Sequence, residues 1–113
     1  MPTRVINLRG LIHEYGPRLE LAPGDVVYVG RRWTLGGWDL PGHPLRNPFA
    51  YDTPKRRRDG TRAEVMAMYR AYLLQRPELL DLVEELRGKT LACWCAPLPC
   101  HADVLTELAD SVR

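Results

Sequence analysis

The chain has 113 residues, enough for one domain with a single core, and 45% of them are hydrophobic. No run approaches the roughly 18 consecutive apolar residues of a membrane span, and a net charge of +2 is too small by itself to demand nucleic acid. Three cysteines, an odd number, argue against a secreted disulfide scaffold, and the start Met-Pro-Thr-Arg-Val lacks an apolar leader. The expectation is therefore a cytosolic domain with reduced thiols and no membrane partner.

Residues 3–8 are short and rich in β-branched side chains, and predict a first strand. Residues 11–21 are ambiguous, broken by Gly16-Pro17 and followed by Pro23-Gly24. Residues 25–30, Asp-Val-Val-Tyr-Val-Gly, predict a buried strand entered from that turn. From residue 31 to 60 no periodicity is found. This stretch holds four prolines and Trp33, Trp38, Phe49 and Tyr51, and predicts a long ordered loop lying over the site.

Thr61 followed by Glu64 has the capping-box form, and Val65, Met68, Tyr69, Tyr72 and Leu73 fall at helical spacing behind it. Pro77 suits the first turn of a second helix whose apolar face is Leu79, Leu82, Val83 and Leu86, with Gly88 as its stop. Residues 89–94 predict a third strand and residues 100–108 a last helix burying Val104, Leu105 and Leu108. Strand, strand, helix, helix, strand, helix is an α/β order. It predicts a single domain over 1–113: a small, mostly parallel, Rossmann-like sheet flanked by helices. Ligands of such sheets bind beyond the carboxyl ends of the strands.

All three cysteines fall in one window at such a strand end, Leu-Ala-Cys93-Trp-Cys95-Ala-Pro-Leu-Pro-Cys100-His101. Two chemistries fit it. Cys100 and His101 open the last helix, where exposed N–H groups favour a thiolate and an anionic ligand and His101 can shuttle a proton. This makes Cys100 and His101 the candidate catalytic pair, with Cys93 and Cys95 lining the pocket. Alternatively Cys93, Cys95, Cys100 and His101 form a structural Cys3His zinc site. Cys93 and Cys95, two apart on an extended chain, point to one side, and Trp94 to the other.

In the loop, Asn47 precedes Pro48, which holds its backbone extended. Its amide is a candidate ligand recogniser, or the acceptor of a local Asx turn. Arg31 and Arg46 are candidates for holding a small anionic ligand. The basic run Lys55, Arg56, Arg57 and Arg58 reads first as a solvated loop and second as a weak nucleic-acid contact. The reading is thus a ligand-binding domain or enzyme for a nucleotide-like or other anionic small molecule. A structural zinc domain and a nucleic-acid-binding accessory protein are its alternatives.

The motifs at 27–31, 47–49, 61–72 and 91–105 together resemble a small bacterial and phage domain family of unknown function. That family combines a Val-Tyr-Val-Gly-Arg strand, an Asn-Pro-Phe motif, an Arg-containing helix and a Cys-Trp-Cys-Ala-Pro-x-x-Cys-His ending. The resemblance implies that the cysteine window, Asn47 and the arginines belong to one site. It implies no reaction.

Overall fold

The computed structural model describes residues 2–111. Three strands, β1 (Arg4–Asn7), β2 (Val26–Tyr28) and β3 (Thr90–Cys93), form one sheet in the order β1-β3-β2. Both pairings are parallel, with Asn7 beside Cys93 and Tyr28 beside Ala92. The helices are a one-turn α1 (Ile12–Tyr15), α2 (Arg62–Leu74), α3 (Pro77–Glu85) and α4 (His101–Asp110). The α/β class and parallel sheet expected from the element order are present. Among the described residues no helix is long and apolar enough to cross a membrane.

The central strand β3 is buried along its whole length, as a parallel strand covered on both faces must be. Its side chains alternate. Leu91 and Cys93 join a core with Tyr69 and Leu73 of α2, Val83 of α3 and Leu105 of α4. Ala92, with Trp94 beyond it, joins a second core of Leu8, Tyr28, Trp38 and Leu40. All three longer helices therefore cover one face. The other is covered by α1 and irregular chain, which is where the expected flanking by helices takes a one-sided form.

The helix boundaries follow local chemistry. Thr61 Oγ1 accepts from the Glu64 amide at 3.2 Å, and Glu64 Oε1 accepts from the Thr61 amide at 3.0 Å. This reciprocal cap satisfies two amides that the first turn leaves without partners. Pro77 sits in the first turn of α3, behind an extended Arg76. At the other end Gly88, with φ of 78°, turns the chain into β3. Thr3 lies outside β1 because its hydroxyl and amide bind the Asp110 carboxylate, tying the first strand to the end of α4.

Residues 31–60 contain little regular structure yet are densely bonded. Trp33 and Leu40 form an antiparallel bridge around a single 3-10 turn at Leu35–Gly37. Leu45 is fully buried, and the Tyr69 hydroxyl donates to its carbonyl at 2.5 Å. Arg31 holds the same stretch by donating to the carbonyls of Asn47 and Phe49.

Candidate functional site at the carboxyl edge of the sheet

A cavity of about 350 Å3 opens beyond the carboxyl ends of β2 and β3. The ends of these strands supply Tyr28, Gly30, Cys93, Trp94 and Cys95, the start of α4 supplies His101, and the long loop supplies Arg31, Trp33, Asn47, Phe49, Ala50 and Tyr51. The structure thus brings Arg31, Asn47, Cys93, Cys95 and His101 to one place. Arg46 is not among them. It is exposed and donates to the His43 carbonyl at 3.2 Å, so the expected second arginine of the pocket is turned outward.

One wall is aromatic. The Trp94 ring meets Trp33 at 5.2 Å, Trp38 at 5.5 Å and Tyr28 at 6.3 Å between centroids. Trp94 Nε1 donates to the Tyr28 hydroxyl at 3.1 Å, and that hydroxyl donates to the Arg31 carbonyl. Gly30 leaves room for this arrangement. A Cβ there would lie 2.5 Å from the Tyr28 hydroxyl oxygen. On the opposite side Phe49 stands edge-on to Tyr72 of α2.

The three sulfurs have different environments. Cys93 and Cys100 are buried with their Sγ atoms 3.6 Å apart, and Cys95 is half-buried. Hydrogen bonds from Cys100 and Cys93, then the Arg62 guanidinium, hold the Cys95 thiol far below its ordinary range. The bonds that Cys100 gives to Cys93 and Cys95, with burial, push Cys100 strongly up. At Cys93 the bond from Cys100 pulls down, but the bond given to Cys95 together with burial outweighs it and leaves the thiol raised. Of the three thiols, Cys95 is the one lowered, and Cys93 and Cys100 are raised. Cys100 is fully buried as the residue capping α4, where Asp103 Oδ2 accepts from its amide at 2.8 Å.

His101 is 8% exposed, and its Nε2 lies 2.8 Å from the Val29 carbonyl oxygen. A carbonyl can only accept, so Nε2 carries the proton and Nδ1 a lone pair. Burial lowers its pKa, against the Val29 bond that raises it, and the ring is neutral at pH 7. His43 is lowered the same way, by burial and then by His101, and its Nδ1 accepts from the Leu45 amide. Both histidines thus hold folded pKa values below the unfolded value of about 6.5. Such groups bind more protons unfolded, so their contribution is complete above that value and is lost as pH falls toward the folded pKa. The melting temperature is expected to drop between pH 7 and pH 5, and His43→Gln/His101→Gln to flatten that drop. Equal slopes in the two proteins would remove the histidines from the explanation.

His101 Nε2 is held by the Val29 carbonyl, and the Cys93 and Cys100 Sγ atoms lie 3.6 Å apart. Among the described residues no group of three or more His, Cys, Asp or Glu side chains is arranged to hold a metal ion.

Asn47 is 7% exposed, and its Oδ1 accepts from the Phe49 amide at 2.9 Å. This is the Asx turn anticipated beside the recognition role, and it leaves the Nδ2 group as the remaining donor of a side chain that lines the cavity. Removing the whole amide therefore disturbs the loop as well as the cavity.

Four residues of the site were given no role in it from the sequence. Tyr28 and Tyr51 line the cavity, and Tyr51 places a shielded hydroxyl there with no hydrogen-bond partner among the described residues. Arg62 donates to the Pro99 carbonyl at 2.6 Å, lies 4.3 Å from the Tyr51 ring centroid and helps to lower the Cys95 thiol. Asn7 Nδ2 donates to the carbonyls of Ala96 and Trp94, which fixes the chain on either side of Cys95. A signal existed for two of them. Asn7 is a polar residue at the carboxyl end of a strand, and Arg62 is the first residue after a capping threonine.

A family pattern covering residues 16–111, described as a domain of unknown function, DUF4326, matches this chain. The chain belongs to the DUF4326 family. Every cavity residue named above lies within the matched part of the DUF4326 domain, whereas β1 and Asn7 precede it. The domain is also similar to an uncharacterised protein of Acanthamoeba polyphaga mimivirus, 32% identical over 90 residues. That match covers 73% of this chain and 65% of the viral protein, so the domain spans about two thirds of its relative's length. No solved structure matches the DUF4326 domain.

Proposed function

We propose that this domain binds and acts on a nucleotide-like, anionic small molecule in the cavity at the carboxyl edge of the sheet. The observation that carries the reading is the convergence of a depressed-pKa thiol, a neutral imidazole and a buried amide on one aromatic-walled cavity. Its size suits a drug-sized or mononucleotide-sized ligand, and a few polar groups within an apolar lining are the usual make-up of such sites. The Trp33 and Trp94 wall offers a face for a planar ring. Asn47 Nδ2 and the Tyr51 hydroxyl offer donors to its edge, and Arg31 and Arg62 supply positive charge at the rim.

In this reading Cys95 is the nucleophile and His101, through Nδ1, the proton acceptor. Cys95 takes the role that the sequence alone assigned to Cys100. Cys95 is partly accessible and its thiol is lowered, while Cys100 is buried and its thiol is raised. Cys93 and Cys100 act as the donors that hold the thiolate. Arg62 steadies it with positive charge.

The test is quenching of tryptophan fluorescence by the four common mononucleotides, with Asn47→Asp as the diagnostic variant. Aspartate keeps an oxygen for the Phe49 amide but loses the Nδ2 donor. Quenching is expected with at least one nucleotide, and binding about 3- to 10-fold weaker in the variant, the worth of the one hydrogen bond that Nδ2 donates. Absence of quenching by all four would remove the nucleotide-like ligand.

A further inference from the structure

We infer that the basic hairpin beside the cavity is a binding surface for single-stranded nucleic acid, with one base in the cavity and the following phosphates along the hairpin. This rests on the reading of the cavity as a base-binding site.

The cavity wall at Phe49, Ala50 and Tyr51 runs directly into the hairpin. Asp59 N donates to the Ala50 carbonyl, Asp52 N to the Gly60 carbonyl, and Thr53 and Arg56 form an antiparallel bridge at the tip. The hairpin's two carboxylates are turned onto its own backbone. Asp59 Oδ2 accepts from the Ala50 amide at 2.8 Å, and Asp52 Oδ1 from the Arg58 amide at 2.5 Å. Lys55, Arg56, Arg57 and Arg58 are all exposed. None of them takes part in an ion pair among the described residues, where the two ion pairs are Arg18–Asp39 and Arg70–Glu107. Four consecutive cations have therefore been left without acidic partners at the mouth of an aromatic cavity.

That is more charge than a mononucleotide uses. Lys55 stands in the turn at the tip and Arg56, Arg57 and Arg58 follow it down one arm, so the cations extend beyond what the single phosphate of a bound base can meet. Arg31 already lines the cavity and supplies a cation there. A strand leaving the cavity supplies further phosphates at the hairpin. Base stacking on aromatic rings combined with a basic track is how single strands are held without demanding a particular sequence. A duplex does not fit, because its bases are not free to enter the cavity.

The experiment uses two probes: thymidine monophosphate by tryptophan quenching, and a fluorescently labelled twelve-nucleotide oligothymidylate by anisotropy. Both are titrated at several salt concentrations. The variant replaces Lys55, Arg56, Arg57 and Arg58 with glutamine. It keeps every hairpin backbone bond, and its circular dichroism should be unchanged. The oligonucleotide is expected to bind at least about tenfold more tightly than the monophosphate. Its log affinity should fall with log salt at a slope of about −0.7 per phosphate held, near −3 for four. The variant should lose most of that slope and the oligonucleotide's advantage while binding the monophosphate as before. If the monophosphate binds and the oligonucleotide binds no better, or the variant keeps the slope, the hairpin surface is overturned and the cavity reading stands. If neither probe binds, the hairpin surface falls, and the cavity reading falls with it only when the other three mononucleotides also fail to quench. Equal or tighter binding of a duplex, or of anionic lipid vesicles, overturns the single-strand assignment.

Discussion

Replacing Tyr69 with alanine is expected to cost about 3–5 kcal/mol, the range for removing a large ring from a filled interior. Tyr69 is fully buried, its ring meets Tyr72 at 6.3 Å and His101 at 5.4 Å, and its hydroxyl holds the Leu45 carbonyl. The residue therefore joins α2 to both the loop and the base of the cavity. Against a typical stability of about 5–15 kcal/mol, such a loss threatens the fold itself. Tyr69→Phe separates the two roles. It keeps the ring and leaves one buried carbonyl without its donor, for an expected loss of about 1–3 kcal/mol. Urea unfolding gives both values. A loss below about 1 kcal/mol in the alanine variant would mean that the ring is not a structural joint.

Alkylation of Cys95 by iodoacetamide is expected to proceed at a nearly constant rate between pH 5 and pH 8. An ordinary cysteine, with a pKa near 8.5, gains about tenfold in thiolate for each pH unit over that range. Cys95 is expected to be ionised over that range, because Cys100, Cys93 and Arg62 all favour the charged form. The absolute rate is a poorer guide, since nucleophilicity falls together with pKa. Peptide mapping by mass spectrometry should find the label on Cys95, with Cys93 and Cys100 protected by burial. Arg62→Gln should restore part of the pH dependence. A tenfold rise per pH unit in the unaltered protein would reject the thiolate, and with it the proposed nucleophile.

Most of the architecture was legible because it rests on short-range rules. A capping threonine followed by glutamate marked the start of α2, and Pro77 and Gly88 marked the ends of α3 and its exit turn. Alternation along β3 separated Cys93 from Trp94. The gathering of Asn47, Arg31 and the cysteine window was also legible, through the strand-end rule and the family resemblance. The outward turn of Arg46 was not. It depends on a bond to the His43 carbonyl in an aperiodic loop, where no local pattern says which way a side chain turns.

The roles within the cysteine window needed tertiary structure for a further reason. Sequence places Cys100 at a helix start, and helix starts lower thiol pKa values. Burial and the neighbouring sulfurs reverse that effect at Cys100, and the thiol that is lowered is Cys95, helped by an arginine 33 positions earlier in the chain. The sequence by itself determined the order of strands and helices, their main boundaries and the segment that holds the thiols, because caps, turns and alternation act over a few residues. Which thiol carries the charge, which nitrogen of His101 is free and which aromatic rings wall the cavity were decided only when distant segments packed. Those properties depend on desolvation and on partners that a linear reading does not bring together.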